Sequence, residues 1–426
     1  MIFAAVADDD TGASDLGGMF ADQGVPTVLV LDPGDGRELR RWAREAECLV
    51  IATATRALAP AEAYAKTADA VRLAAQLAPR SIEIKYCSTF DSTREGNIGP
   101  SIDAALDTLG LTFTIAFPAL PVNGRMTYLG YHFVKGQLIS DSPMRLHPLT
   151  PMTNPNLVDH LAAQTRRPVS LTPFDVVDAG ADAIRAHWEA LAGKGITIVD
   201  CLSERHAASI CEAAADLPVV TGGSAFGRFL PEAWRRRGWL ERSGEVRLPK
   251  CEPGCGRLVI AGSCSTATAA QNAWLSRQQG VEVLEYEARE LIEGARVPLA
   301  AKLKADATIL FKSRSTREDI EQAQSWGARQ GWNPRELGLR LANAMATAVR
   351  DAMADVTPRA LVSAGGETSS ALCRALGLRA LAVGRNIEPG VPLCVPVEGA
   401  RFPVILKSGN FGSEDFYERA FAAASQ

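Results

Sequence analysis

Short apolar runs alternate with amphipathic stretches along the whole chain. In the first half the apolar runs are Ile2–Ala7, Thr27–Leu31, Cys48–Ala52, Ile82–Tyr86, Thr114–Phe117, Thr197–Val199 and Pro218–Thr221. Each has the length and composition of a buried strand. Between them lie alanine-rich segments such as Ala61–Leu77 and Asp182–Ala192, whose apolar residues recur at three- and four-residue spacing. That is the period of a helix packed by one face. In the second half the same pattern predicts strands at Leu258–Ala261, Val281–Tyr286, Thr308–Phe311, Ala360–Ser363, Ala380–Val383 and Val404–Lys407. Helices are predicted at Thr266–Gln279, Arg335–Ala354 and Ser369–Leu376. Strand–helix alternation of this kind predicts an α/β protein built on mostly parallel sheets flanked by helices, with ligands at the carboxyl ends of the strands.

Two stretches break the rhythm. Residues 236–256 form a charged, Pro/Gly/Cys-rich run without periodicity and read as a linker between a domain at 1–235 and another at 257–426. A chain of 426 residues also exceeds what one compact core normally holds. The second stretch, Pro118–Pro155, is proline-rich and polar but carries Tyr128, Tyr131, Phe133 and Met144. It predicts an ordered excursion outside regular structure, and long loops inside domains tend to be functional.

Composition narrows the field. At 47% hydrophobic and 22% charged residues, with a net charge of -4, the chain carries no basic footprint for nucleic acid or an anionic membrane. No apolar run approaches the roughly 20 residues of a membrane span. The N-terminal run meets acids at Asp8 with no basic segment before it, unlike a signal peptide. Nine scattered cysteines, with Cys251-x3-Cys255 the one close pair, read as reduced thiols of a cytoplasmic protein. A homodimer is the expected assembly on general prevalence alone.

The candidate chemistry begins where the first strand empties into Ala7-Asp8-Asp9-Asp10-Thr11-Gly12. Adjacent carboxylates repel one another, so at a strand end they call for a cation, a proton transfer or sugar hydroxyls to meet; a solvated capping turn is the plain alternative. A helix is expected to follow, with Thr11 or Ser14 as its cap. In the second half, three predicted strands end in similar loops: Gly262-Ser263-Cys264-Ser265-Thr266, Ala364-Gly365-Gly366-Glu367-Thr368-Ser369 and Ser408-Gly409-Asn410-Phe411-Gly412. Glycine permits close backbone approach, and N–H groups at a helix start point at an anion, so these loops suggest a phosphate or nucleotide site. Neither a Walker-type P-loop nor a dinucleotide fingerprint is present.

Taken together, these motifs resemble those of the four-carbon acid sugar kinase family, and within it most closely the 3-oxo-tetronate kinases. The resemblance is carried by Ala7-Asp8-Asp9-x-Thr11-Gly12, Lys85-Tyr86-Cys87-Ser88-Thr89-Phe90-Asp91-Ser92-Thr93, Gly96-Asn97-Ile98-Gly99-Pro100 and Pro121-Val122-Asn123-Gly124-Arg125. His147-Pro148-Leu149-Thr150-Pro151-Met152-Thr153, Thr221-Gly222-Gly223-Ser224 and the last two glycine loops complete the set. Asp10 departs from the apolar residue usual there, and Asn154-Pro155 and Gly130-Tyr131-His132 also depart from the pattern.

The resemblance implies an N-terminal domain for the sugar acid, a C-terminal domain for ATP, and an active site in the cleft between them. The implied reaction phosphorylates the terminal C4 hydroxyl of a four-carbon acid, with Mg²⁺ neutralising the phosphates. Domain closure over the substrates is expected, because water would otherwise compete as acceptor. Asp8 and Asp9 are the candidates for base and hydroxyl grip. Lys85 and Arg125 are preferred for the substrate carboxylate, with Arg56 behind them as a residue often solvated or ion-paired. Asp91, Asn97, Asn123 and His147 are further substrate candidates, each with a plain structural alternative as cap, turn or backbone partner. Ser263, Ser265, Gly365, Gly366, Glu367, Thr368, Gly409 and Asn410 are the candidates for ATP; Glu367 or an N-terminal aspartate would hold Mg²⁺ through water. Erythronate or threonate kinase is the nearest alternative. An aspartyl-nucleophile phosphatase, suggested by Asp8-x-Asp10-Thr11, and a non-catalytic sugar-acid receptor are the alternatives of another class.

Overall fold

A computed structural model describes residues 1–34, 36–146, 150–191, 193–241 and 246–425. The chain falls into two compact units, Met1–Val246 and Arg247–Gln426. No helix among the described residues is long and apolar enough to cross a membrane.

The first unit runs β1 (Phe3–Ala7), α1 (Asp10–Asp22), β2 (Thr27–Val30), α2 (Arg37–Trp42), β3 (Cys48–Ala52), α3 (Pro60–Ala75), β4 (Ser81–Lys85), α4 (Ile98–Leu109) and β5 (Phe113–Phe117). A small insert follows: β6 (Arg125–Tyr128), β7 (Tyr131–Val134) and β8 (Gln137–Leu138). Then come α5 (Leu157–Ala162), β9 (Val169–Thr172), α6 (Phe174–Asp178), α7 (Ala181–Ala190), β10 (Gly195–Val199), α8 (Glu204–Ala214), β11 (Val219–Gly222) and α9 (Ala225–Arg236). The main strands lie in the order β2-β3-β1-β4-β11-β5-β10-β9, all parallel. From β1 the chain crosses toward β2, whereas from β3 it crosses back over β1 to β4. Right-handed crossovers in opposite directions put α1 and α3 on opposite faces of the sheet, so a crevice opens at the carboxyl ends of β1, β3 and β4.

Helix α1 starts where Asp9, at φ −151° and ψ 160°, accepts the Gly12 N–H at 2.8 Å. The cap expected at Thr11 or Ser14 is thus Asp9 instead. Thr11 donates its hydroxyl to Asp9 Oδ2, and Ser14 donates to the Thr11 carbonyl from inside the helix. The buried face of α1 seats Phe20 against Phe3 and Trp234, with ring centroids 5.3 to 5.6 Å apart. Gly227 lets α9 approach until a Cβ there would lie 2.9 Å from the Leu16 carbonyl.

The stretch expected to lack regular structure holds a three-stranded antiparallel sheet, β6-β7-β8. Its turns are Leu129-Gly130 and Lys135-Gly136, all four residues at positive φ, the geometry of tight hairpins with glycine second. Buried Asp200 clamps the first turn, accepting the N–H groups of Leu129 and Gly130 at 2.7 and 2.9 Å. Four-residue strands with polar positions gave too weak a period to read. Strand β9 was missed for the same reason.

The second unit runs β12 (Arg257–Ala261), α10 (Thr266–Leu275), β13 (Val281–Tyr286), α11 (Ala288–Ile292), α12 (Leu299–Lys304), β14 (Thr308–Ser313), α13 (Arg317–Arg329), α14 (Pro334–Met353), β15 (Ala360–Ala364), α15 (Gly366–Ala375), β16 (Ala380–Glu388), β17 (Val391–Pro396), β18 (Val404–Lys407) and α16 (Phe416–Ala424). Its strands lie in the order β13-β14-β12-β15-β18-β17-β16. The first five are parallel, and β17 pairs antiparallel with both neighbours. Val259, Leu310, Val362 and Ile405 from the parallel strands pack with Leu275, Phe416 and Tyr417 into one core.

Candidate functional site

In the first unit the strand ends gather a dense group of charges. Arg56, on the loop after β3, reaches both aspartates at the end of β1. Its Nε and Nη2 donate to the two oxygens of Asp8 at 2.8 and 2.7 Å, and its Nη1 and Nη2 donate to those of Asp9 at 3.0 and 2.8 Å. Paired forks of this kind are among the strongest charge-assisted contacts. The three side chains are between 16% and 28% exposed, so the cluster is open to a ligand on one side. Arg56 is therefore the hub of this charged cluster: of the two plain readings for it, solvated or ion-paired, the structure shows the ion pair. Asn97, whose amide NH2 faces the carbonyls of Thr55, Arg56 and Leu58 at 2.8, 3.0 and 3.2 Å, holds the loop that carries it.

Asp9 accepts four donors on its two oxygens: two from Arg56, one from Thr11 and one from Gly12. Asp8 accepts from Arg56 alone. Burial pushes the Asp8 carboxyl above its ordinary range, with Arg56 opposing. Lys85 ends the neighbouring strand, pairs with Ala7 and donates its buried ammonium to the Tyr86 carbonyl at 2.8 Å. A Cβ on Gly12 would collide with Asp9 Oδ1 and stand 3.3 Å from Lys85 Nζ and 3.5 Å from Arg56 Nη2. Gly12 thus marks the point where aspartate, lysine and arginine converge. Asp10 is the first residue of α1, in its first turn.

Further along the same edge, burial raises Asp91, but Arg56 and the Thr89 and Cys87 hydrogen bonds outweigh it and hold that carboxyl below its ordinary range. Cys87, whose thiol burial pushes up to about 12, is no nucleophile. Arg125 hydrogen-bonds the carbonyl of Asn123 through Nη1, while its buried Nε has no partner. His147 lies outside the described residues. His132 is buried beside Ser88: its Nε2 is 2.9 Å from that carbonyl, and burial lowers it to about 4.

Two carboxyls were missed. Asp15, one turn beyond Gly12 on α1, accepts the Ser224 hydroxyl on one oxygen and keeps the other buried and unpartnered; burial raises it, against Lys85 and Ser224. Glu83, two residues before Lys85 on the same face of β4, is fully buried with neither oxygen partnered, and burial raises it well above its ordinary value. An acid on the apolar face of α1 and a Glu-Ile-Lys alternation inside a strand were the available signals.

In the second unit the three glycine loops come together because β12, β15 and β18 are adjacent. The N–H groups of Gly262 and Ser263 donate to the Ala364 carbonyl at 3.2 Å, and the Gly365 N–H donates to Lys407 O at 2.8 Å. Ser265 caps α10, accepting the Thr268 N–H, and donates its hydroxyl to Gly409 O at 2.6 Å. A Cβ on Gly409 would collide with Ser263 Oγ, and one on Gly262 with Thr368 Oγ1. On Gly366 it would meet nothing within 4 Å. Glu367 and Asn410 are exposed at the rim. Partial burial raises Glu367, with Arg335 opposing. Among the described residues no group of three His, Cys, Asp or Glu is placed to hold a metal ion.

A charged cluster at the strand ends of one α/β unit and a glycine–hydroxyl cradle on a second are the arrangement expected of an enzyme with a polar small substrate and a phosphate carrier. Residues 3–230 match a sugar-binding N-terminal domain, and residues 258–417 match a nucleotide-binding C-terminal domain. The chain is 39% identical to a 3-oxo-tetronate kinase of Pseudomonas fluorescens and 38% identical to one of Cupriavidus necator; each match covers 98% of this chain and 96% of the relative. A 3-oxo-tetronate kinase of Escherichia coli K12 is 34% identical over 90% of this chain and 97% of its own length. Among solved structures, one described as a putative tRNA synthase from Salmonella typhimurium LT2 superposes with a TM-score of 0.81 at 31% identity, covering 98% of both chains. Haemophilus influenzae protein HI1011 superposes with 0.79 at 29% identity, covering 98% of this chain and 99% of its own. The chain belongs to the four-carbon acid sugar kinase family. It is an ATP-dependent sugar-acid kinase.

Proposed function

We propose that the chain transfers the γ-phosphoryl group of ATP to the C4 hydroxyl of 3-oxo-tetronate, giving the 4-phosphate and ADP. The observation that carries the acceptor side is the Arg56 fork on Asp8 and Asp9, set beside Lys85 at the strand ends. Asp8 is the base: its carboxyl is reachable, retains lone pairs beyond the two Arg56 contacts, and is raised toward proton acceptance by burial. Asp9, saturated by four donors, is a positioning residue that fixes Arg56 and the start of α1. Lys85 and Arg125 receive the substrate carboxylate, with Asn123 holding Arg125 in its turn; Asp91 and His147 serve the acid's remaining oxygens. The acceptor oxygen forms a bond to the γ-phosphorus as the bridge to ADP breaks, and the hydroxyl proton passes to Asp8. An aspartyl-nucleophile phosphatase fits poorly, because Asp10, the second acid of such a motif, opens a helix and the glycine loops of the second unit would have no role.

On the nucleotide side, the loops carrying Ser263, Ser265, Gly365, Gly366, Thr368, Gly409 and Asn410 line the phosphate site, with the internal bonds of Ser263, Ser265 and Gly365 holding the loops in shape and the Asn410 N–H directed outward as a donor. Mg²⁺ bound to ATP would neutralise phosphate charge, and it needs only one or two protein carboxylates, a role open to Glu367. We place the enzyme in the cytoplasm as a homodimer, which sedimentation checks. The deciding assay follows ADP release with ATP, Mg²⁺ and a panel of 3-oxo-tetronate, erythronate and threonate. ADP above the acid-free blank is expected with 3-oxo-tetronate first. No ADP with any acid, from protein that binds ATP, would overturn the assignment.

A further inference from the structure

Lys407, the last residue of β18, is completely buried, and among the described residues no carboxylate pairs with it. Its ammonium donates to neutral oxygens only: Thr268 Oγ1 at 3.2 Å, Ser408 O at 3.0 Å and Gly409 O at 3.2 Å. Burial alone lowers it to about 8. Glu367 on the adjoining loop and Arg335 facing it contribute nothing to that shift. An enclosed ammonium without a counter-ion is costly, and a fold that keeps one has an anion to offer it.

The Gly409 carbonyl supplies a second observation. It accepts three donors at once: the Ser265 hydroxyl at 2.6 Å, the Thr268 hydroxyl at 2.9 Å and Lys407 Nζ. Donors crowded on a carbonyl polarise its whole peptide unit, so the N–H at the other end becomes a better donor. That N–H belongs to Asn410, which is exposed and makes no hydrogen bond among the described residues. Gln271 holds the rest of the loop, facing the carbonyls of Phe411, Gly412 and Ser413 at 2.9 to 3.0 Å.

We propose that Lys407 is a positioning residue for the nucleotide phosphates: it sets a fixed positive charge behind the Ser408–Asn410 loop and, through the Gly409 carbonyl, aims and strengthens the Asn410 N–H. This rests on the assignment of the glycine loops to ATP. Lys407→Met tests it cleanly because it orphans no carbonyl: Gly409 O keeps two hydroxyl donors, Ser408 O keeps the Phe411 N–H at 3.2 Å, and the Thr268 hydroxyl still donates to Gly409 O.

Titration calorimetry with ATP, ADP, AMP and adenosine gives the readout. In the variant at pH 7, ATP affinity is expected to fall about 10–100-fold, ADP less and adenosine not at all. Wild-type affinity for ATP should weaken from pH 7 to pH 9, while the variant stays flat, and the melting temperature should hold or rise. Thr268→Val, which removes one Gly409 donor, should shift ATP affinity in the same direction by less. Equal losses for ATP and adenosine, or none for either, would make Lys407 merely structural and overturn the proposal. Wild-type protein that binds none of the four would instead overturn the nucleotide assignment itself.

Discussion

Lys85 and Lys407 occupy equivalent stations. Each ends a central parallel strand, each is buried, and each donates to the carbonyl of the next residue. Their surroundings are opposite. Around Lys85 stand the carboxyls of Asp8, Asp15 and Glu83, whose own protonation it influences. Among the described residues, the Lys407 ammonium meets one hydroxyl and two carbonyls and no carboxylate. On the proposed assignment, one unit is a network of opposed charges suited to moving a proton and gripping a small, hydroxylated acid. The other is a set of glycine loops and hydroxyls with Lys407 behind them, which suits a multiply charged phosphate chain. On that assignment, the same α/β plan serves two chemistries through the residues placed at its strand ends.

The sharpest way to break this comparison is at the base. Asp8→Asn should lower kcat roughly 10²–10⁴-fold and leave the KM for ATP nearly unchanged; steady-state kinetics with both substrates varied would detect any leak into the nucleotide side. Next in size, Gly366→Val should raise the KM for ATP by about tenfold or more with kcat largely kept, because a Cβ there meets no protein atom within 4 Å and, on the proposed assignment, the side chain enters the phosphate site. Circular dichroism and melting should match the wild type. If both substitutions act on the same parameter, the division of labour fails.

Arg56→Lys should follow, with kcat/KM for the acid down about 10–100-fold, since a lysine cannot make the paired forks to Asp8 and Asp9. An unchanged KM for ATP is the control.

The smallest expected effect concerns stability. Glu83 is raised well above 4.5 in the folded state, so an unfolded chain ionises there as pH passes 4.5 while the folded chain keeps its proton. Stability must then decline as pH rises above that value. Glu83→Gln removes the term: its melting temperature should match wild type near pH 4 and exceed it by a few degrees at pH 8. Scanning fluorimetry across that range decides it, and a variant less stable at pH 8 would mean Glu83 is paired and ionised in the folded protein.

Asp8, Asp9, Lys85 and the glycine loops were legible in the sequence because strand ends are read from local apolar runs, and strand ends are where such folds act. Asn97 and Arg56 were legible only as candidates. Their partners stand 39 to 48 residues away, and no local pattern says that Asn97 holds the Arg56 loop or that Arg56 unites two aspartates. The β6–β8 insert escaped because strands this short carry little periodicity and their first turn is fixed by Asp200, 70 and 71 residues distant.

By itself the sequence determined the alternating α/β plan, the acidic loop after the first strand and the three phosphate-type loops, since each depends on neighbours within a few residues. Only the tertiary structure decided that Asp9 is cap and Arg56 partner at once, that half-buried Asp15 and fully buried Glu83 lie near Lys85, and that no carboxylate among the described residues pairs with Lys407. Those are properties of distance and burial across strands remote in sequence, and the energies of charge and desolvation that they set exist only once the strands are side by side.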